Sequence, residues 1–298
     1  MSGEYPTGIS VIVPCYNAGK YLLPCVQSLV DQHFSDAPYE IIVVDDRSTD
    51  ETTQLALARL EQDFPQNVIL IRHKTNKGNA AARNAALDCA QYKYIVPIDA
   101  DDALTTDWSQ QEGQTGYFQQ AFQLMEASDD LTFVYCTGEF TGAKQGLWEL
   151  PPYSEEKLLV RNMIPVFGMF RKSDAMAVGG YNEKLNRLVD WEFWIALLNS
   201  YVSNQKTPNI HRIDTPFYLY RIHNDSSSVT NTFKFSASIL SFYKESFRRS
   251  PNIYLKHIFK VGPQIARKLI LNGVPLGLER FPLLRRVISS LKNMGRRS

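Results

Sequence analysis

Glu40-Ile-Ile-Val-Val-Asp-Asp-Arg-Ser-Thr-Asp50 reads as a strand that ends in an acidic turn and leads straight into a helix. Ile41–Val44 is an unbroken β-branched run, as expected of a strand covered on both faces. Ser48-Thr49-Asp50-Glu51 then supplies a cap and early acids for a helix over Glu51–Phe64. The same rhythm continues on either side. Ile9–Pro14, Val68–Arg72 and Tyr94–Ile98 are further β-rich runs, and Tyr21–Gln32 and Asn79–Gln91 have helical character. Strands alternating with helices of this length indicate βαβ units and a mostly parallel sheet, an α/β fold.

After Asp102 the rhythm changes. A helix is expected over Thr115–Ala127, a strand over Leu131–Cys136 and a loop over Thr141–Pro152. Gly179-Gly180 marks a turn within Val178–Tyr181. Asp190–Ser200 reads as a helix whose apolar face is Phe193, Trp194, Leu197 and Leu198. Beyond Phe235 the chain looks helical and basic. The expected division is a catalytic domain over 1–235 and a helical C-terminal extension over 236–298.

The composition, 298 residues with 44% apolar and 21% charged, is that of an ordinary globular protein and excludes a disordered chain or a coiled coil. No apolar run approaches the ~20 residues of a spanning helix. The start, Met-Ser-Gly-Glu-Tyr-Pro, lacks the basic and apolar parts of a secretory signal. Cys15, Cys25, Cys89 and Cys136 have neither metal-ligand nor disulfide-framework spacing, so reduced thiols in the cytoplasm are expected.

A net charge of +1 hides a division. Residues 239–298 hold thirteen Lys/Arg against two Asp/Glu, a net +11, and the remainder is −10. Phe281–Met294 and Asn252–Leu271 mix apolar residues at helical spacing with Lys and Arg. Such an arm suits an anionic membrane surface, or packing on the acidic body or on a second subunit in a homodimer. No nucleic-acid recognition motif accompanies the charge.

Ligands of parallel sheets sit at the carboxyl ends of the strands. The first strand is followed by Pro14-Cys15-Tyr16-Asn17 and the second by Asp45-Asp46-Arg47-Ser48. The third is followed by His73 and Asn76-Lys77-Gly78, then Arg83-Asn84, and the fourth by Asp99-Ala100-Asp101-Asp102. An aromatic, several carboxylates, an arginine and a turn suit a nucleotide. Tyr16 can stack, Asp46 can accept from a base N–H, and Arg83 can face phosphate or base. The glycine-rich signatures of dinucleotide folds and of the P-loop are absent. Three carboxylates within Asp99–Asp102 repel one another unless a cation sits between them, and hard oxygen ligands suit Mg²⁺ or Mn²⁺. The alternative is a solvated turn with Asp as a helix cap.

These segments resemble those of the family 2 glycosyltransferases, whose fold is GT-A, the nucleotide-diphospho-sugar transferase fold. The resemblance is carried by Ile9–Asn17, Glu40–Asp50, Asn76–Asn84 and the DXD-like Asp99-Ala-Asp-Asp102. Gly179-Gly-Tyr-Asn-Glu183, Asp190-Trp-Glu-Phe-Trp194 and Tyr220-Arg-Ile-His-Asn-Asp-Ser-Ser-Ser228 also fit. It implies inverting, metal-dependent transfer of a hexose or N-acetylhexosamine from a UDP-sugar to a hydroxyl of a glycan or lipid-linked acceptor, in cell-envelope polysaccharide synthesis. The location implied is cytoplasmic, peripheral at the inner face of the membrane.

By the same resemblance, Pro14, Tyr16 and Asp46 line the uracil and ribose pocket, with Asn17, Asn76, Gly78 and Ala100 on the donor side. Arg83 helps hold the nucleotide. Asp99 serves the ribose and Asp101 the metal (Mn²⁺ or Mg²⁺), with His223 a further metal or diphosphate contact. The Ser-rich segment after His223 suits a loop that closes over the donor. Asp190 matches the catalytic base, although Val189 stands where many members carry Glu. The alternative for Asp190 is a helix N-cap. Trp191, Glu192 and Gly180 fall on the acceptor side, Glu192 being the alternative base. Trp108 and Trp148 are further sugar-stacking candidates, and Trp194 reads as core. His33, His73, His211 and His257 carry no usable pattern.

Other readings are a nonenzymatic nucleotide-sugar-binding scaffold, a nucleotidyltransferase and a phosphoacceptor domain. The first leaves the retained carboxylates unexplained. The second needs a glycine-rich basic loop that Pro14–Lys20 does not supply. The third leaves Asp190-Trp-Glu192 without a role.

Overall fold

β1 (Ile9–Cys15) lies between β2 (Tyr39–Asp45) and β4 (Tyr94–Pro97), and β3 (Val68–Arg72) flanks β2, all parallel. The computed structural model describes residues 5–64, 66–106, 115–223 and 232–271. Among these the chain forms two compact units. The described residues up to 150, with 165–183 and 208–223, make the first, and 151–164, 184–207 and 232–271 the second.

The sheet belongs to the first unit and runs β3-β2-β1-β4-β8-β6-β9-β5. The added strands are β5 (Ala103–Leu104), β6 (Leu131–Gly142), β8 (Met169–Arg171) and β9 (Asn209–Ile222), with β7 (Gly146–Trp148) paired to β6. β8 runs antiparallel to β4 and β6, so the sheet is mixed beyond its parallel half. Its helices are α1 (Leu22–Val30), α2 (Glu51–Asp63), α3 (Asn79–Cys89), α4 (Tyr117–Ala127) and α6 (Lys172–Ala177). α1 buries Leu22, Cys25, Val26 and Leu29 at i, i+3, i+4 and i+7, one apolar stripe against the sheet core. α2 starts where Asp50 Oδ1 accepts from the Thr53 N–H at 2.7 Å, the cap read from the sequence.

Two expectations change here. Thr141–Pro152 is not all loop: β6 continues to Gly142 and returns through β7, with left-handed φ of +82° at Gly142 and +105° at Gly146. Trp148 stacks on Phe140 at 5.5 Å between ring centroids. β9, 14 residues long, was not foreseen. Its pairing with β6 shifts register twice around Pro216, and these bulges break the alternation that marks a strand.

The second unit holds α5 (Glu155–Leu158), α7 (Val189–Ser203), α8 (Thr232–Arg249) and α9 (Pro251–Leu271). α7 buries Val189 and every residue from Trp191 to Leu198, so it is sequestered on all sides rather than along one face. α8 and α9 are the expected C-terminal helices, whereas Phe281–Met294 lies outside the described residues. No described helix is long and apolar enough to cross a membrane. All four cysteines are free thiols; burial pushes Cys15 up to about 12, and Cys25 and Cys136 well up.

Candidate active site

The carboxyl ends of β1, β2 and β4 border a cleft of about 650 Å³ in the first unit. Pro14, Tyr16, Asn17, Asp46, Asn76, Gly78, Asp99, Ala100, Asp101 and His223 line it together. Tyr16 is 52% exposed, so its ring face is open.

One wall is built on Asp46. Its Oδ1 accepts the Lys77 N–H at 2.8 Å and faces His73 Nδ1 at 2.7 Å, and its Oδ2 accepts the Gly78 N–H at 2.7 Å. Three of about four acceptor positions are used, leaving room for one more donor. The carboxylate thereby pins the Asn76–Gly78 turn to the end of β2. His73 was named as the residue after the third strand but given no role, and its contact with Asp46 supplies one. Asp45 closes the adjacent turn by accepting the Ser48 N–H at 2.9 Å. Asn17, at φ +52°, donates its N–H to Ser48 Oγ at 3.0 Å and accepts the Thr49 N–H at 2.8 Å. Three strand ends are thus tied into one rim.

The opposite wall is the Asp99–Asp102 turn, where each carboxylate has its own partner. Arg83, buried and set back from the lining, donates from Nη2 to Asp99 Oδ1 at 2.6 Å. Asp102 is buried and accepts the Arg221 N–H at 2.8 Å and the Tyr218 hydroxyl. Burial and the neighbouring Asp101 and Asp99 charges push its carboxyl well up. Asp101 is raised by burial and by Asp99, against which His223 acts; its Oδ2 lies 2.7 Å from His223 Nε2. Tyr21, missed by the sequence reading, packs edge-on to His223 at 5.3 Å and under the Arg221 guanidinium at 4.6 Å. Nothing in its helical context marks it.

Asp99 is engaged by Arg83 and Asp102 is buried, which leaves the Asp101 carboxylate and the His223 imidazole at the cleft. Among the described residues no three His, Cys, Asp or Glu side chains are grouped as a metal cage. Two protein ligands fit Mg²⁺ or Mn²⁺, which take remaining oxygens from water and substrate phosphates.

Gly180, at φ +66°, lies in the first unit, where an added Cβ would meet Asn84 Oδ1 at 2.5 Å. Asn84 also accepts the Tyr181 N–H and donates to Glu183 Oε1, so Gly180 serves close packing of this turn.

Asp190, Trp191 and Glu192 belong to the second unit. Asp190 is not the cap of α7: Leu188 is, at a left-handed φ of +60° and with no side-chain cap bond. Asp190 Oδ2 instead accepts from Asn162 Nδ2 at 2.9 Å. Trp191 is corrected as a sugar platform. It is 2% exposed, stacks on Phe242 at 4.0 Å and donates its indole N–H to the Leu158 carbonyl at 2.6 Å. Glu192 is corrected too, since it is fully buried and paired to Arg249 at 2.8 Å, out of reach of an acceptor in solvent. Burial raises its carboxyl, with Arg249 opposing. Trp108 and the Ser-rich segment 224–231 lie outside the described residues.

Residues 10–112 match the family described as Glycosyl transferase family 2. Glycosyltransferase GlyG of Streptococcus pneumoniae is 43% identical over 95 residues, 32% of this chain and 30% of that protein. Chondroitin synthase of Pasteurella multocida is 28% identical over 229 residues, 75% of this chain and 21% of that one. The chain thus spans under a third of the length of either relative. The crystal structure of S. aureus TarS 1–349 with UDP-GlcNAc superposes with a TM-score of 0.67 at 18% identity, covering 94% of this chain and 79% of that one. Residues 10–112 hold every cleft-lining residue named above except His223, and the sheet follows the same fold: over that segment the chain matches the family 2 glycosyltransferases, and its architecture is GT-A.

Proposed function

We propose that the chain transfers a hexosyl or N-acetylhexosaminyl group, with inversion, from a UDP-sugar to a hydroxyl of a glycan or lipid-linked acceptor in cell-envelope polysaccharide synthesis. The observation that carries this is the single cleft where an open tyrosine ring, the anchored Asp46, the Arg83–Asp99 pair and the Asp101–His223 pair converge. Tyr16 stacks on the base, and Asp46 has one acceptor position left for a base or ribose donor. UDP-GlcNAc in TarS and the polymer-forming chondroitin synthase support the donor and product classes.

Asp101 and His223 would hold Mn²⁺ or Mg²⁺, which when bound stabilises charge on the leaving diphosphate. Asp190 takes the acceptor hydroxyl proton as that oxygen attacks the anomeric carbon, a role typically worth ~10²–10⁴-fold. Its Oδ2 accepts from the side-chain amide of Asn162 at 2.9 Å. Asp99, by contrast, is held by a guanidinium.

The basic arm, residues 239–298, approaches an anionic membrane surface from the cytoplasmic side. Leu255 and Phe259, 51% and 65% exposed on α9, support this. Lys256 and Lys260 are paired with Glu155 and Glu156 within the second unit, so those two charges also serve internal packing.

The deciding experiment is a screen of UDP- and GDP-sugars for Mn²⁺-dependent hydrolysis and thermal stabilisation. A UDP-sugar that is turned over and raises Tm supports the reading. Stabilisation without turnover would favour a scaffold, and no response to any nucleotide would overturn it.

A further inference from the structure

We infer that Asn162 is a positioning residue for Asp190, and that it is braced by the C-terminal helices through the carbonyl of Val160. This rests on the reading of Asp190 as the base. The Asn162 side chain has only one way to sit. Its Oδ1 accepts the Ile164 N–H at 3.3 Å, and a backbone N–H can only donate, so the amide nitrogen must face the other way. There it donates to Asp190 Oδ2 at 2.9 Å. The contact holds the carboxylate in one rotation, which is what a base aimed at a single hydroxyl requires.

The loop that carries Asn162 is held at three further points. Trp191, next to Asp190, donates its indole N–H to the Leu158 carbonyl at 2.6 Å. The Val160 carbonyl accepts from Lys268 Nζ at 2.6 Å and from the Tyr243 hydroxyl at 3.1 Å. Lys268 also lies 4.7 Å from the Trp191 ring centroid, and Trp191 is stacked on Phe242. The first turn of α7 and residues 158–162 are therefore cross-linked at Asp190 and at its neighbour Trp191. Two of the links come from α8 and α9, which gives the C-terminal extension a catalytic duty inside the unit.

The test measures steady-state hydrolysis of whichever of UDP-GlcNAc, UDP-glucose and UDP-galactose the wild type turns over fastest, with UDP affinity and Tm as controls. Asp190→Asn sets the floor. Asn162→Ala should lower kcat by about tenfold or more, the worth of a hydrogen bond to a charged group, with UDP affinity unchanged. Asn162→Asp keeps the shape and the bond from Ile164 but sets a second carboxylate against Asp190. It should therefore fall below Asn162→Ala, the reverse of the order expected if Asn162 only supported the loop. Lys268→Met should lose part of the same activity and add nothing to Asn162→Ala. Near-normal kcat in Asp190→Asn would sink the base reading. A dead Asp190→Asn beside active Asn162→Ala and Asn162→Asp would leave the base in place and overturn the positioning role. Additive losses in the double variant would overturn the brace.

Discussion

Arg83 reaches across from α3 to hold Asp99 at 2.6 Å, and in doing so separates the surroundings of two aspartates that stand only two positions apart. Asp99 has a permanent cation; Asp101 faces His223 and the cleft. Neighbouring carboxylates with different partners take on different chemistry.

Arg83→Met should therefore damage both stability and binding. Removing one partner of a buried pair costs about 3–5 kcal/mol, and the partly exposed Asp99 places this at the lower end. UDP affinity should fall with Tm. Arg83→Lys should recover charge but not geometry, because an ammonium lacks the planar fork. Full UDP affinity in Arg83→Met by calorimetry would show that Asp99 needs no orientation.

Asp101→Asn keeps the shape of the side chain and removes its charge. Mn²⁺-dependent UDP binding should be lost, while the metal-independent remainder, measured with EDTA, stays the same. Unchanged affinity with Mn²⁺ would remove Asp101 from the metal's ligands.

Asp190→Asn separates binding from turnover. UDP affinity and Tm should survive, and kcat should fall by at least ~10². Since Leu188 rather than Asp190 caps α7, loss of the carboxylate removes no cap. A near-normal kcat would exclude the base role, and the buried Glu192 could not take it over.

Lys268 gives the second unit a measurable pH dependence. Burial lowers its ammonium to about 8, below the 10.5 of an unfolded lysine. Below about pH 8 both states carry the proton, and the folded state bears the full penalty of a buried charge. Between about 8 and 10.5 the unfolded chain binds more protons, so stability rises with pH through that window. Lys268→Met has no such charge. Its Tm relative to wild type should be most favourable at pH 7 and decline towards pH 10. A constant difference across that range would place Lys268 in solvent.

The membrane approach is read by sedimentation with anionic and neutral vesicles at two salt concentrations. Binding to anionic vesicles alone, weakened by salt, is expected. Equal binding to both, or none, would assign the arm to packing.

The parallel half of the sheet was legible because its information is local. Ile41–Val44 is a buried run, and Asp50 is a cap next to its helix. β9 was not legible, since Pro216 and the register shifts are accommodated by β6, some 80 residues away in sequence. The cleft lining followed from asking what ends each strand; the same question reached His73, whose lone imidazole carries no pattern until its contact with Asp46 is seen. Trp191 and Glu192 failed for the opposite reason. A helix start with an acid and an aromatic looks exposed, and only the tertiary contacts of Phe242 and Arg249 show that both are enclosed. Asn162 sits in a short loop with no pattern, and its meaning depends on a partner 28 residues away.

Leu188 holds a left-handed backbone, which costs a non-glycine residue roughly 1–2 kcal/mol. Exchange for glycine would remove that strain and lift the melting point, so a stability screen would select it. The same exchange would free the joint from which α7 departs, two residues before Asp190. With Asp190 as the proposed base, the position is one where thermal robustness and turnover pull in opposite directions. Efforts to harden this protein should leave Leu188 alone and look for gains on faces remote from α7.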